Sequence, residues 1–340
     1  MSEHLLEVKD LHVSFSSYAG KIRAVRGVDF HLDAGETLAI VGESGCGKTV
    51  TVKALMKLYG NSAAFIEEGS VITFKGQDVV HMNAKEISKL RGEGIGMIFQ
   101  DPMTSLNPTM TVGNQIAEGI RVHDKTVSKQ AALEKAVKLL DMVGIPSPEE
   151  RVKQYPHQLS GGMRQRVMIA IAIACDADII ICDEPTTALD VTIQAQVLEL
   201  LNELKETTNK AFILVTHDLG IVFDFADRIQ VMYAGQIMER GTKYELFDDP
   251  HHPYTWALHN SVPSKQVHNK GALYSIEGTP PDLMMPITGC PFAERCDYCM
   301  PICKQRMPEE IYLTETHAVS CWLEHSMAPK VTRPVLGGDE

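Results

Sequence analysis

The sequence lacks an apolar stretch long enough to cross a membrane, and it lacks an excess of positive charge. Its longest apolar run, VMIAIAIAC at residues 167–175, has nine residues, whereas a membrane-spanning helix requires about 20. The net charge of −12 opposes binding to nucleic acid or to an anionic membrane surface by charge alone. We therefore expect no nucleic-acid partner, and we expect membrane contact only through a protein partner.

The sequence also lacks a signal peptide, internal repeats and low-complexity segments. The N-terminal MSEHLLEVKDLHVSF does not combine basic residues with an apolar stretch and a cleavage site, which predicts that the protein stays in the cytoplasm. In that reducing compartment, the eight cysteines are expected to bind metal, to react or to pack in the core rather than to form a disulfide framework.

The order of apolar patterns predicts an α/β fold. LEVKDLHVSF and VDFHLDAG alternate apolar and polar residues, which predicts antiparallel strands. TLAIVGESG predicts a buried strand that enters a glycine-rich turn, and residues 110–154 have the spacing of a helical insertion. Strands in DADIIICDEP and KAFILVTHD then alternate with helical segments, which predicts a mostly parallel sheet.

The composition changes after DDPHHPYT, where Pro, Gly, Met and Cys become frequent. We place a domain boundary near Pro250. The chain is thus predicted to have a main domain at residues 1–250, with a helical subdomain inserted at about 101–160, and a C-terminal extension at 251–340.

A phosphate-binding loop is predicted at residues 42–49. GESGCGKT fits G-x-x-x-x-G-K-[ST] between a predicted strand and a predicted helix. The glycines allow a tight loop whose N–H groups point inward, and the helix N-terminus adds positive potential. Lys48 is expected to reach the β- and γ-phosphates of a nucleotide, and Thr49 to ligate Mg²⁺.

Polar residues follow three further predicted strands. In IIICDEP, Asp183 suits Mg²⁺ coordination, and Glu184 suits a general base that polarises the attacking water. Gln100 in MIFQDP lies where it can contact metal or water, and His217 in LVTHD lies where it can reach the γ-phosphate. Together with Lys48, these residues are the candidates for nucleotide hydrolysis.

LSGGMRQR, at residues 159–166, predicts a second phosphate-binding element. Gly161 and Gly162 let the backbone approach a phosphate closely, Ser160 offers a hydroxyl, and the segment opens a predicted helix. One chain therefore carries two such elements.

With these motifs the sequence resembles the ATP-binding cassette (ABC) ATPases over roughly residues 5–250. LSGGM is similar to the signature motif of that family, with Met163 in place of the common glutamine. TTALD, at residues 186–190, is similar to the loop after Walker B, and Gln100 and His217 fall where the family's switch glutamine and histidine belong.

The resemblance implies a mixed-sheet core, an antiparallel β subdomain and a helical subdomain that docks on a membrane permease. It also implies a head-to-tail dimer that holds MgATP between two cassettes. One cassette would contribute the phosphate-binding loop at residues 42–49, called Walker A in this family, and the other would contribute the signature motif. Tyr18, or alternatively Phe15, lies about where the family stacks an aromatic ring on adenine. The predicted nucleotide-binding residues are Gly42, Ser44, Gly45, Cys46, Gly47, Lys48, Thr49, Val50, Tyr18, Ser160, Gly161 and Gly162.

HPYT at residues 252–255, IFQDPMTSLNP and DEPTTALDVTIQAQ are similar to the ATPases of oligopeptide and dipeptide importers. This implies a peripheral ATPase subunit at the cytoplasmic face of the membrane. Its implied partners are a second, paralogous ATPase subunit, two transmembrane permease subunits and an extracellular peptide-binding protein. Nickel and glutathione importers remain alternatives. A soluble ABC ATPase without a transporter fits less well, since the chain has one cassette and no long heptad region.

Five cysteines are clustered in CPFAERCDYCMPIC, residues 290–303, and at Cys321. Spacing alone allows zinc on Cys296 and Cys299 together with Cys303 and either Cys321 or His317.

A [4Fe–4S] cluster on Cys290, Cys296, Cys303 and Cys321 is the second possibility, because such clusters require four cysteines. Their spacing resembles the C-terminal pattern of the peptide-importer ATPases, which implies the cluster as cofactor. Reduced cysteines packed in a small core without metal are the third possibility.

The remaining cysteines lie in the cassette. Cys175 and Cys182 fall in apolar patterns and are expected in the core. Cys46 lies beside Lys48 and a helix N-terminus, which predicts a stabilised thiolate. We therefore expect alkylation of Cys46 to inhibit the ATPase, and bound MgATP to protect it.

Overall fold

The computed structural model of the protein describes residues 4–18, 20–59, 63–187, 189–261 and 276–333. Ala188, within the TTALD segment, lies outside these residues. The chain divides into two compact units. The first consists of Met1–Leu32, Thr37–Val80 and Val215–Glu340, and the second of Asp33–Glu36 and His81–Leu214. The described part of the C-terminal extension thus belongs to the same unit as the phosphate loop.

Strands occur in both units. The first contains β1 (Leu6–Ser17), β2 (Gly20–Leu32), β3 (Thr37–Val41), β4 (Ala64–Ile66), β5 (Val71–Phe74), β6 (Gln77–Asp78), β10 (Arg228–Tyr233), β11 (Gln236–Thr242), β12 (Ile311–Tyr312) and β13 (Ala318–Val319); the second contains β7 (Ile95–Ile98) and β8 (Ile179–Asp183), and β9 (Ala211–Thr216) crosses the boundary.

Helices also occur in both units. The first contains α1 (Lys48–Ala54), α9 (Leu219–Phe225), α10 (Lys243–Asp248) and α11 (Pro253–Asn260); the second contains α2 (Ala84–Lys89), α3 (Pro102–Ser105), α4 (Val112–His123), α5 (Lys129–Met142), α6 (Pro148–Arg151), α7 (Gly161–Ile173) and α8 (Val191–Thr208). In the described part of the chain, no helix is both long and apolar enough to span a bilayer.

The N-terminal strands form the antiparallel sheet that their alternating pattern predicts. β1 pairs with β2, and the order is β2-β1-β5-β6 with β4 also on β1. The pairing register shifts between Val8 and Leu11, and Asp10 there has a φ of +46°. This bulge lets Val8 and Leu11 both be buried although they are three residues apart.

A mixed sheet completes the first unit, in the order β12-β13-β11-β10-β3. β10 runs parallel to β3 and antiparallel to β11. Ala234 and Gly235 close the β10–β11 hairpin with positive φ angles, as a two-residue turn of type I′ requires. Because Val319 of β13 pairs with Glu239 of β11, the C-terminal extension supplies the outer strands of this sheet.

In the second unit, β7 and β8 are parallel, and every residue of both is buried. Such uninterrupted burial is typical of parallel strands that are covered on both faces. The segment predicted to be helical at residues 110–154 forms α4, α5 and α6, so that prediction is confirmed. Ser128 begins α5 as an N-cap, with its side chain accepting from the backbone N–H of Ala131.

Candidate functional site

The phosphate loop belongs to the first unit, between β3 and α1. Gly42 and Gly47 have φ angles of +155° and +109°. A Cβ on Gly42 would lie 2.1 Å from the carbonyl oxygen of Met232, and one on Gly47 would lie 2.5 Å from that of Ala24. Both positions therefore require glycine because neighbouring backbone lies too close for any side chain.

Lys48 folds back into this loop. Its Nζ donates hydrogen bonds to the carbonyl oxygens of Gly42 at 2.7 Å and Glu43 at 3.0 Å. The residue is buried, so its ammonium group is held at the loop rather than in solvent. A bound phosphate would offer this group a charged acceptor, which forms a stronger hydrogen bond than a carbonyl.

The prediction that Cys46 carries a stabilised thiolate is wrong. The residue is 5% exposed. Burial raises the pKa of this thiol, and the opposing effect of Lys48 does not overcome it. The neighbouring lysine and helix N-terminus were visible in the sequence, whereas the burial of the sulfur was not.

Gln100 and Glu184 meet in the second unit. Gln100 Nε2 donates to Glu184 Oε2 at 2.9 Å, and Thr187 Oγ1 donates to the same oxygen at 3.0 Å. Glu184 follows β8 with a φ of +46°, a left-handed conformation that is uncommon outside glycine and asparagine. Backbone strain of this kind at a strand end is frequent at functional sites. Asp183 directly precedes Glu184 in the sequence. It is the last residue of β8, and it is buried.

The signature segment begins α7. Ser160 is its N-cap, and its Oγ accepts from the backbone N–H of Met163 at 3.3 Å. Because accepting uses only a lone pair, the hydroxyl can still donate to a ligand. A Cβ on Gly161 would meet no atom within 4 Å, whereas one on Gly162 would lie 2.8 Å from Ile193. Gly162 thus packs against α8, and Gly161 borders open space.

The other predicted nucleotide residues belong to the first unit. His217 follows β9 and is exposed, and Tyr18 is fully exposed at the turn between β1 and β2. In the phosphate loop and α1, Ser44 and Gly45 are exposed, and Thr49 and Val50 are half-buried.

The HPYT segment is held by a single buried carboxylate. Glu239 of β11 accepts from the backbone N–H groups of His251 and His252 at 2.6 and 3.0 Å. It also accepts from Thr255 Oγ1 at 2.5 Å, and it lies 2.9 Å from His317 Nε2. Burial raises the pKa of Glu239, but these hydrogen bonds outweigh burial and hold the pKa below its usual value.

Four of the five C-terminal cysteines line one small cavity. They are Cys290, Cys296, Cys303 and Cys321, and Cys299 is not among the lining residues. Burial raises the pKa of Cys290 to about 12 and that of Cys296 to about 11, and the neighbouring thiols contribute to both rises. Such thiols stay protonated at neutral pH unless a cation compensates the charge.

Two residues that the sequence did not single out contact the phosphate loop. Tyr254, from HPYT, accepts from the backbone N–H of Glu43 at 2.8 Å, and Arg295, from the cysteine segment, binds the Glu43 carboxylate. In the sequence, HPYT indicated only a branch of the family. The contact between its Tyr254 and Glu43 joins residues 211 positions apart, so local patterns could not predict it. The only sequence feature that could have pointed to these two residues is that Tyr254 lies in HPYT and Arg295 lies in the cysteine segment.

Comparison with known proteins first defines the class. The family model described as ABC transporter matches residues 25–187. The ATP-binding cassette MJ0796, solved as a dimer in a post-hydrolysis state with ADP and Pi, covers 70% of this chain and 98% of its own, with a TM-score of 0.62 and 26% identity. The fold is therefore that of an ABC ATPase cassette.

The C-terminal part and the full-length relatives define the branch. Residues 238–303 match the oligopeptide/dipeptide transporter C-terminal region. The oligopeptide transport ATP-binding protein OppD of Bacillus subtilis (strain 168) is 54% identical over 97% of this chain and 92% of its own. The dipeptide transport ATP-binding protein DppD of Lactococcus lactis subsp. cremoris (strain MG1363) is 51% identical over 97% of this chain and 94% of its own. The chain belongs to the oligopeptide/dipeptide family of ABC transporter ATP-binding proteins.

Proposed function

We propose that the chain is the ATP-hydrolysing subunit of an ABC importer and that it energises the uptake of oligopeptides or dipeptides. Its similarity to both oligopeptide and dipeptide ATP-binding proteins over nearly its whole length supports this proposal. The subunit would lie peripherally at the cytoplasmic face of the membrane. It would pair with a paralogous ATPase subunit and with two permease subunits, to which an extracellular peptide-binding protein delivers substrate.

In the proposed mechanism, the phosphate loop binds ATP through its N–H groups, and Lys48 binds the β- and γ-phosphates. Mg²⁺, held by Thr49, Gln100 and Asp183, would neutralise charge on the phosphates when bound. Ser160, Gly161 and Gly162 of a second cassette would complete the site.

Glu184 is the proposed general base. It accepts a proton from a water that attacks the γ-phosphorus, the bond from that phosphorus to the bridging oxygen breaks, and ADP and phosphate leave. His217 would contact the γ-phosphate. The observation that carries this step is the carboxylate of Glu184, held by the side chains of Gln100 and Thr187.

Transport by the complete importer tests the substrate class. Proteoliposomes that contain the importer complex and internal ATP are expected to accumulate labelled dipeptides and oligopeptides, and a complex with Lys48→Ala is the matched inactive control. Uptake of nickel or glutathione without uptake of peptides would contradict the peptide assignment. Equal uptake with the Lys48→Ala complex would contradict the role of ATP.

We also propose that Cys290, Cys296, Cys303 and Cys321 hold a [4Fe–4S] cluster, which requires four thiolates. The shared cavity supports this set, and Cys299 lies outside it. A tetrahedral zinc site with Zn–S bonds of about 2.3 Å brings its sulfurs to about 3.8 Å from one another. Among the described residues, no three cysteine sulfurs all lie within 4.8 Å of one another, which favours a group larger than one ion.

A buried N–H group of His252, beside the cavity, also supports a bound group that contains sulfur. His252 lines the cavity, and burial lowers its pKa to about 4, so its ring is neutral. Its Nδ1 accepts from the backbone N–H of Tyr254 at 3.0 Å, so its proton is on Nε2. That Nε2 is buried without a hydrogen-bond partner among the described residues. Thiolate or sulfide would supply the missing acceptor.

Metal analysis of anaerobically purified protein tests this proposal. Iron and acid-labile sulfide are expected in equal amounts, with the visible absorption of a cluster. Cys303→Ser is expected to lose the cluster, and Cys299→Ser, in the same segment, is the control that keeps it. Zinc, an absence of metal, or loss of iron in both variants would contradict the assignment.

A further inference from the structure

Arg295 joins the cysteine segment to the phosphate loop. Its Nη1 and Nη2 donate to Glu43 Oε2 at 2.5 Å and Oε1 at 2.9 Å. Glu43 is the second residue of the loop, and Arg295 immediately precedes Cys296. The side chain of Arg295 is only 4% exposed. The Glu43 side chain is 25% exposed. A bidentate arginine–carboxylate pair whose arginine is buried is geometrically better fixed than most ion pairs at a protein surface.

All five N–H groups of Arg295 have acceptors. Besides the carboxylate, Nε donates to the carbonyl of Glu277 at 2.8 Å, Nη1 to Tyr233 Oη at 3.1 Å, and Nη2 to the carbonyl of Ile276 at 3.1 Å. A guanidinium has no further donors. The orientation of Arg295 is therefore set by Tyr233 of β10 and by the backbone carbonyls of residues 276 and 277.

The backbone of Glu43 is held at the same place. Its N–H donates to Tyr254 Oη at 2.8 Å, and its carbonyl accepts from Lys48 Nζ at 3.0 Å. A displacement of Glu43 would therefore move one of the acceptors that hold the phosphate-binding lysine. Arg295 acts on that residue from 252 positions away in the sequence.

The charge of Glu43 gives this link a consequence for ATP. A carboxylate in a loop that binds polyanionic phosphates opposes binding unless a cation neutralises it. We propose that Arg295 neutralises and positions Glu43, so that the affinity of the loop for ATP depends on the folded cysteine segment. Arg295 is thus a positioning residue, since it acts through Glu43. This inference rests on ATP binding in the proposed function and not on the group that the cysteines hold.

Titration of full-length protein with a fluorescent ATP analogue and Mg²⁺ tests the inference. Arg295→Ala is expected to raise Kd about tenfold or more, because the carboxylate is left without its cation. Adding Glu43→Gln removes the repelling charge, so the double variant is expected to return to within about threefold of the parent. Arg295→Lys keeps a cation without the bidentate geometry and is expected to weaken binding less than Arg295→Ala does.

Two outcomes overturn the inference. One is parent affinity in Arg295→Ala. The other is an equal loss in the single and double variants, because a purely structural defect is not repaired by removing a carboxylate. If Arg295→Ala does not fold, Arg295→Gln, which keeps amide donors but carries no charge, provides the same comparison with and without Glu43→Gln, and affinity that Glu43→Gln fails to improve overturns the inference.

Metal content of the same samples separates this inference from the cluster proposal. A parent protein without iron, in which Arg295→Ala still weakens ATP binding, removes the cluster and keeps the role of Arg295. An iron-loaded protein whose ATP affinity is unchanged by Arg295→Ala keeps the cluster proposal and removes the role of Arg295. A parent protein that binds no ATP contradicts the proposed function itself.

Discussion

Gln100 and Glu184, which are 84 residues apart in the sequence, are joined by a hydrogen bond of 2.9 Å. The amide of Gln100 can only donate to this carboxylate through Nε2, and Thr187 Oγ1 donates to the same oxygen, so Oε2 of Glu184 is held by two side chains. This is the arrangement expected of a base whose orientation is set before water binds.

Glu184→Gln is expected to bind ATP as the parent does and to hydrolyse it at least about 100-fold more slowly, because the amide cannot accept the proton. The variant should accumulate as a closed dimer with ATP. Turnover in single-cycle experiments and size-exclusion chromatography with MgATP measure the two effects. Thr187→Val, which removes a hydrogen bond to the same carboxylate but keeps the base, should be less impaired. Near-parent turnover in Glu184→Gln would exclude this residue as the base.

The two signature glycines should respond differently to the same substitution. Gly162→Ala is expected to lower the midpoint of thermal unfolding, because the new methyl group would lie 2.8 Å from Ile193. Gly161→Ala meets no atom within 4 Å, so its unfolding midpoint should stay at or slightly above that of the parent. If Gly161 faces the nucleotide of a second cassette as proposed, ATPase activity should nevertheless fall in Gly161→Ala, because the added methyl group would enter the space that the nucleotide approaches. Parent activity in Gly161→Ala would show that this space is not used.

His252 offers a paired test of the cysteine site. Asparagine at this position keeps an acceptor for the Tyr254 N–H and removes the Nε2 donor. Glutamine can present a donor near the position of Nε2 but loses the hydrogen bond from the Tyr254 N–H. If Nε2–H donates to a sulfur of the cluster, His252→Asn should lower its reduction potential, and His252→Gln should stay closer to the parent. Redox titration followed by electron paramagnetic resonance measures this. Equal potentials in the parent and His252→Asn would remove the hydrogen bond from the proposal.

Acid should weaken the attachment of the extension to α10. Burial raises the pKa of Glu245, but hydrogen bonds from Thr314, Thr242 and Thr316 outweigh it and lower the pKa from 4.5 to about 2. Since the pKa is depressed by folding, Glu245 stabilises the folded state above pH 4.5, and this contribution is lost as the pH falls toward 2.

Urea unfolding at several pH values measures this contribution. Glu245→Gln should be less stable than the parent at neutral pH, and the difference should shrink below about pH 4. Glu315→Gln changes an exposed carboxylate in the same turn and is the control. A stability difference for Glu245→Gln that does not vary with pH would contradict the role of this carboxylate.

The sequence predicted what depends on local periodicity and missed what depends on burial and long-range contact. The alternation in β1 and β2 and the apolar run in β8 indicated their strands correctly, because each pattern is complete within one element. Cys46 was misjudged because burial in the folded chain raises the pKa of its thiol, and the sequence around it does not show that burial. The link from Arg295 to Glu43 left no periodic signal, since it joins a short 3₁₀ helix to a loop 252 residues away in the sequence.

The pairing of β13 with β11 has a consequence for shortened forms of the chain. β11 forms backbone hydrogen bonds with β10 on one side and with β13, at Glu239 and Arg240, on the other. A chain that stops before Ala318 would leave those backbone groups of β11 without a partner strand, and a bare edge of this kind recruits strands from other molecules. The cysteine-rich extension is thus also a cover that keeps the cassette from joining its sheet to that of a neighbour.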